Sequence, residues 1–180
     1  MKYKLILACL TISAIVFLVD FTTSASPYGR GVYNADVPYG GETSLSITAG
    51  SGVNLSLNPS TSGTLASGSG TVTVYSTDVV GYKLYVRALT STSMTQGAFT
   101  IPASANVTAA PLAINTWGFN TDASSNFVGI SLSDTLLKDA AGPFGAGDPT
   151  QVTYGLYVDR SKPAGSYASN VMYTAVPETP

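Results

Sequence analysis

The sequence predicts an all-β protein: an antiparallel, Ig-like β-sandwich of about eight or nine strands preceded by a signal peptide. Three observations carry that prediction. First, Gln151 to Val176 holds two alternating runs separated by Arg160-Ser161-Lys162-Pro163-Ala164-Gly165. In the first run Val152, Tyr154, Leu156 and Val158 share one side of a period-2 ribbon, and in the second Tyr167, Val171, Tyr173 and Ala175 do. Pro163 lacks an N–H and Gly165 tolerates positive φ, so the segment between them turns the chain. Second, similar short runs recur along the chain at roughly ten-residue spacing, with turn residues between them. Third, nothing after the N-terminal apolar run is an amphipathic helix long enough for a crossover, so a parallel α/β sheet is not expected. A barrel is the runner-up architecture.

Taken in order, Lys2 and Lys4 precede the apolar run Leu5 to Val19, and Thr23-Ser24-Ala25 then places small residues at −3 and −1. This is the layout of a signal peptide, 1–25, removed before Ser26. As a helix the run reaches only about 22 Å, short of a hydrocarbon core of roughly 30 Å. Residues 26–42 form a lead-in rich in Pro, Gly and Tyr, read either as a ragged terminus or as a segment that pairs with a neighbouring subunit. The sandwich domain is expected over 43–176, with 177–180 a tail. Its strands begin with Leu45 and Ile47, then Val53, Leu55 and Leu57, each alternating with polar residues. Pro59 to Gly70 reads as a Ser/Thr/Gly loop. Thr71 to Tyr75 resumes the alternation, Asp78 to Gly81 turns, and Tyr82, Leu84, Val86 and Ala88 then face inward with Lys83, Tyr85 and Arg87 outward. Further strand candidates are Ala98 to Ile101, Leu112 to Phe119 and Phe127 to Ser131. Ser133 to Gly142 reads as a helical turn capped by Ser133 and Gly142, and Pro143 to Pro149 as a connection.

Charged residues make up 10% of the chain, against an average of about 25%, while Ser and Thr together number 44. Hydroxyls and amides therefore carry the solubility of the surface. A formal net charge of −2 and a pI near 4.8 leave little to neutralise phosphates, so no nucleic-acid partner is expected. The sequence has no histidine, and its single cysteine, Cys9, lies in the N-terminal apolar run. Ser-His and Cys-His nucleophilic sites cannot be built from such a chain, and no phosphate-binding or nucleophile-elbow motif is present. The expectation is a protein without catalytic residues and without a cofactor.

Asn120, Asp122, Ser124 and Asn126 present oxygens at alternate positions, a spacing that suits Ca²⁺, but with one carboxylate among them a plain polar turn is the favoured reading. Trp117, the only tryptophan, is either a stacking platform for a glycan or a core residue. Tyr82, Tyr154, Tyr167 and Tyr173 share faces with Val and Leu and are expected in the core, whereas Tyr85 and Tyr157 lie on polar faces and are the better candidates for contacts.

Two stretches resemble the signature of the WxL family of bacterial surface domains. Gly81-Tyr82-Lys83-Leu84 is similar to its Gly-Trp-x-Leu, with tyrosine for tryptophan. Gly165 to Ala175 is similar to its closing strand, where Tyr173 and Ala175 stand at the Trp and Leu positions of the motif. The Tyr154-Gly155 strand followed by Pro-Ala-Gly-Ser-Tyr is also similar to spore-coat-U and fimbrial-type subunits. The first resemblance implies a secreted cell-surface protein bound non-covalently to wall polymer or other surface proteins, with Tyr82, Leu84, Tyr173 and Ala175 at the motif positions. The alternatives are a fibre or surface-layer subunit that self-associates by strand addition, and a glycan-binding adhesin using Trp117, Tyr85 and Tyr157. In each case the membrane is met only through the signal peptide during export.

Overall fold

The structure, a computed structural model, describes residues 8–16 and 44–178. Residues 1–7, 17–43 and 179–180 lie outside that description, and with them both flanks of the predicted signal peptide and the lead-in 26–42. Among the described residues the chain is all-β, without a helix. Its strands are β1 (Ala8–Val16), β2 (Ser44–Ala49), β3 (Val53–Leu57), β4 (Thr64–Thr77), β5 (Gly81–Ala88), β6 (Met94–Gln96), β7 (Phe99–Ile101), β8 (Thr116–Asn120), β9 (Thr135–Ala141), β10 (Phe144–Val158) and β11 (Ala168–Glu178). One sheet has the order β3-β1-β11-β5-β9, with β6 and β7 attached beside β11; the other has the order β2-β4-β10-β8. Every pairing is antiparallel except that of β1 with β11.

The two sheets pack as a sandwich because alternation gives each an apolar face. Val152, Tyr154, Leu156 and Val158 of β10 meet Tyr82, Leu84, Val86 and Ala88 of β5 in one buried cluster. Each fully buried aliphatic side chain contributes roughly 1.5–3 kcal/mol of transfer free energy. The strands flanking the Pro163–Gly165 corner, β10 and β11, belong to opposite sheets. Their inward tyrosines meet across the core, with the Tyr154 and Tyr173 hydroxyls 2.5 Å apart.

Strands β2 and β3 form one run that changes layer. β2 pairs with Val72–Thr77 of β4 in the second sheet, whereas beyond the bend Gly50-Ser51-Gly52 β3 joins the first sheet, through β1. There it packs across the sandwich onto Gly68 and Gly70 of β4. A Cβ at Gly68 would lie 2.7 Å from Leu55 Cδ2, so the close approach of β3 needs glycine at that point.

The stretches on either side of β8, 102–115 and 121–130, cover the outer face of β8 and β10. Phe127 is fully buried and the end of its ring abuts Gly155, while Phe119 and Val128 exchange backbone hydrogen bonds at 2.9 and 2.8 Å. Asn106 Nδ2 ties the stretches down by donating to the carbonyls of Ala110, Pro111 and Phe127. Hence Thr153 is buried although it stands on the outward side of β10.

Five expectations are corrected. Ser133 to Gly142 is not a helical turn but contains strand β9, which pairs with β5. Leu84 pairs with Lys138 but Tyr85 with Leu136, so Leu137 is a bulge that breaks the period-2 pattern and imitates helical spacing. Pro59 to Gly70 is loop only as far as Gly63, because β4 begins at Thr64; its inward positions Ala66, Gly68 and Gly70 are small, which hid the alternation. Pro143 to Pro149 is largely strand, with a register shift between Phe144 and Asp148 where Gly147 adopts φ +88°. Phe127 to Ser131 forms only isolated bridges, and the strand around Trp117 starts at Thr116, after Asn115 with φ +64°.

Candidate binding face

The two stretches that carry the WxL-like pattern are neighbours in space. β5 and β11 pair along their length, with Leu84 opposite Ala175, Tyr173 opposite Val86 and Tyr82 opposite Pro177. All four motif positions point inward. Tyr82 and Leu84 are fully buried, Tyr173 is 4% exposed, and Ala175 packs against the core partly buried. The Tyr82 hydroxyl donates to Asp148 Oδ2 at 2.7 Å, and Lys138 Nζ donates to Asp148 Oδ1 at 2.6 Å. Burial opposes ionisation of Asp148, but the hydrogen bonds from Lys138 and Tyr82 outweigh it and hold its carboxyl below the usual range. Burial also pushes the tyrosines up: Tyr173 to about 12, and Tyr82 and Tyr154 well above their ordinary value.

Trp117 is likewise in the core. Its Nε1 donates to the Thr92 carbonyl at 2.9 Å, and its ring lies 6.4 Å from that of Tyr154. No face of Trp117 is left for stacking on a glycan. Tyr157 is half-buried, with its hydroxyl donating to the Ser62 carbonyl at 3.0 Å. In the loop read for Ca²⁺, the Asn120 amide donates to the carbonyls of Ser124 and Asn126, and Asp122 Oδ1 accepts from the Ser124 N–H. Those bonds close the turn on itself. Among the described residues no three His, Cys, Asp or Glu side chains cluster as metal ligands.

Tyr85 alone of the aromatic candidates stands on an open sheet face. The outward row of β5 is Lys83, Tyr85 and Arg87; the register places Val176, Thr174 and Met172 beside it on β11. On the other side stand Asp139 opposite Lys83 and Leu136 opposite Tyr85, on β9. Leu136 and Val176 are 49% and 45% exposed, large for apolar side chains on a sheet. Ionic groups frame this apolar centre. Lys83 pairs with Glu178 and, at 3.6 Å, with Asp139; Arg87 pairs with Asp134 at 3.6 Å and contacts Met172 Sδ at 3.2 Å. The hydrogen bond to Glu178 raises the Lys83 pKa. Such exposed pairs add little stability, so their effect is to orient charge around the face. Leu136, Met172 and Val176 were not among the sequence candidates. The outward alternation of β11 would have found Met172 and Val176, while the bulge at Leu137 concealed Leu136. Compared with protein-family models and with curated proteins, the chain matches none.

Proposed function

We propose that this chain is a secreted, non-catalytic surface protein that associates non-covalently with the cell envelope, touching wall polymer or another surface protein through the outer face of β11, β5 and β9. The observation that carries the reading is Tyr85, set between Thr174 and Leu136 in register with Lys83 and Arg87 on either side. A flat pleated face with one aromatic ring, apolar neighbours and a frame of both charges suits a polymer strand lying across it. Stacking on the ring and hydrogen bonds to the frame hold such a strand, whereas a small ligand calls for a pocket of several hundred Å³. An Ig-like arrangement belongs to this reading and is supported by the run β2–β3, which changes layer at Gly50–Gly52. The signal-peptide pattern of residues 1–25 supports the surface location.

The test is sedimentation of the exported protein with purified cell walls. Wild-type protein should co-sediment, and Tyr85→Ala combined with Leu136→Ser should stay in the supernatant with an unchanged circular dichroism spectrum. Wild-type protein left wholly in the supernatant would reject wall binding. A second reading, a structural subunit of a surface fibre or layer, is favoured by one separate observation: among the described residues β3 has no ladder partner other than β1.

A further inference from the structure

Five cationic side chains stand among the described residues, and carboxylates match three of them. Lys83 pairs with Asp139 and Glu178, Arg87 with Asp134, and Lys138 with Asp148. Arg160 and Lys162 form no ion pair among the described residues, and they stand two residues apart in the turn between β10 and β11. That turn, 159–167, meets the loop 58–63, the β6–β7 hairpin and residues 112–115 at one end of the sandwich. These four segments hold a single carboxylate, Asp159, so two cations against one acid leave a net charge of +1. Elsewhere among the described residues three cations face six acids: Asp78, Asp122, Asp134, Asp139, Asp148 and Glu178. A chain of net charge −2 thus carries its unmatched positive charge at one end.

The one acid of this end is occupied within the turn. Asp159 Oδ1 accepts from the Ser161 N–H at 2.9 Å, the Ser161 hydroxyl at 2.5 Å and Asn115 Nδ2 at 3.0 Å. These bonds, led by that from the Ser161 hydroxyl, hold its carboxyl below the usual range. Acids at the far end do not cancel the two cations either. Glu178 lies ten residues from Ala168 along β11, and Asp148 ten from Val158 along β10, roughly 33 Å in each case. Screening acts within about 8 Å at physiological salt.

Both cations are also held in place. Arg160 Nε donates to the Pro59 carbonyl at 3.1 Å, which leaves its two Nη groups as a fork. Lys162 Nζ donates to the Thr100 carbonyl at 2.8 Å and keeps two further N–H donors. The two anchors lie on opposite sides of β11. Pro59 follows β3, Thr100 belongs to β7, and the order β3-β1-β11-β6-β7 separates them by four strand spacings, roughly 19 Å. One small anion cannot touch both heads, whereas two groups of one chain can. Lys162 is half-buried, within reach of a thin chain rather than of a flat lipid surface.

The geometry points to this end of the sandwich as a binding site for an acidic polymer, a flexible chain whose repeats carry phosphodiester or carboxylate groups. Arg160 takes one group on its Nη fork and Lys162 takes another as a point charge. The envelope reading above says only where such a polymer is met; the site is separate from the Tyr85 face.

The test titrates the whole exported chain with two soluble polymers, a poly(glycerol phosphate) and a polygalacturonate, followed by calorimetry across a salt series. At least one should bind, and which of them does identifies the anionic group. Arg160→Gln and Lys162→Gln should each weaken binding roughly tenfold, the loss of one hydrogen bond to a charged group. Each should also lower the slope of log affinity against log salt by up to about 1, one cation fewer to displace counterions. Arg160→Lys, which keeps the charge and loses the fork, should fall between wild type and Arg160→Gln. No binding of either polymer would overturn the proposal, as would wild-type affinity in the double Gln variant, or equal affinity for neutral dextran. Binding to phosphatidylglycerol vesicles but to neither polymer would assign the site to a lipid surface and overturn it too. No cell wall enters the assay, so wall binding through Tyr85 stands or falls separately.

Discussion

Replacing Gly155 by alanine tests how the two faces of β10 are used. The added Cβ would sit no more than 2.7 Å from three ring carbons of Phe127, which is fully buried with no free side to move into. Overpacking of that kind costs about 1–3 kcal/mol, offset by about 0.5–1 kcal/mol because alanine is the better residue within a strand. The net loss is about 0–2.5 kcal/mol, centred near 1 kcal/mol or roughly 2–4 °C in Tm for a domain of this size. Phe127→Ala alone should cost about 3–5 kcal/mol. In the double variant the ring that Gly155→Ala strikes is gone, so the pair should be more stable than the sum of its parts by about 1–2 kcal/mol. Urea denaturation of the four proteins measures this, with shifts in midpoint at a constant slope. Costs that simply add in the double variant would refute the idea that Phe127 is seated on the glycine.

Three more outcomes follow from the core. Tyr154→Phe and Tyr173→Phe should each cost about 1–3 kcal/mol by stranding the other hydroxyl, while the double variant costs less than their sum; denaturant midpoints of the three proteins decide it. Because Tyr173 is held neutral up to about 12 and Tyr154 also lies above its ordinary value, their ionisation favours the unfolded chain first. Stability should be complete below about pH 10 and fall as pH rises from there towards 12, with a shallower decline in the double Phe variant. Asp148 acts in the opposite sense, since its folded pKa is depressed. Its contribution is present above about pH 4 and lost as pH falls through the folded value, so Asp148→Asn should flatten the acid limb of the stability profile.

The architecture was legible wherever one strand face meets the core and the other meets water. Tyr82, Leu84, Val86 and Ala88 read correctly because Lys83, Tyr85 and Arg87 intervene as polar or half-exposed neighbours. Legibility failed where a second layer replaced side-chain bulk with backbone approach. Ala66, Gly68 and Gly70 carry little hydrophobic signal because Val53 and Leu55 from another strand fill their place, and no single-strand pattern records that. It failed again at Leu137, where one extra residue shifts the register and turns a strand into apparent helical spacing. For the candidate face, Tyr85 was visible from its own strand. Its neighbours were legible only in part: Val176 stands on the outward face of β11, but only the pairing of β5 with β11 sets it beside Lys83, and the bulge at Leu137 hid Leu136. The corner at Pro163–Gly165 was legible as a turn, but whether it joins partners in one sheet or crosses between two depends on contacts far away in sequence.

The bend at Gly50–Gly52 also has a mechanical meaning. Tension entering at Ser44 first meets the six residue pairs that bind β2 to β4, lying parallel to the pull, so their hydrogen bonds resist together in shear rather than opening one at a time. Only when that clamp slips does the load pass through the bend to β3 and the opposite layer. For a pull applied at Ser44 itself, this order of failure keeps the Tyr85 face undisturbed until the first clamp has given way.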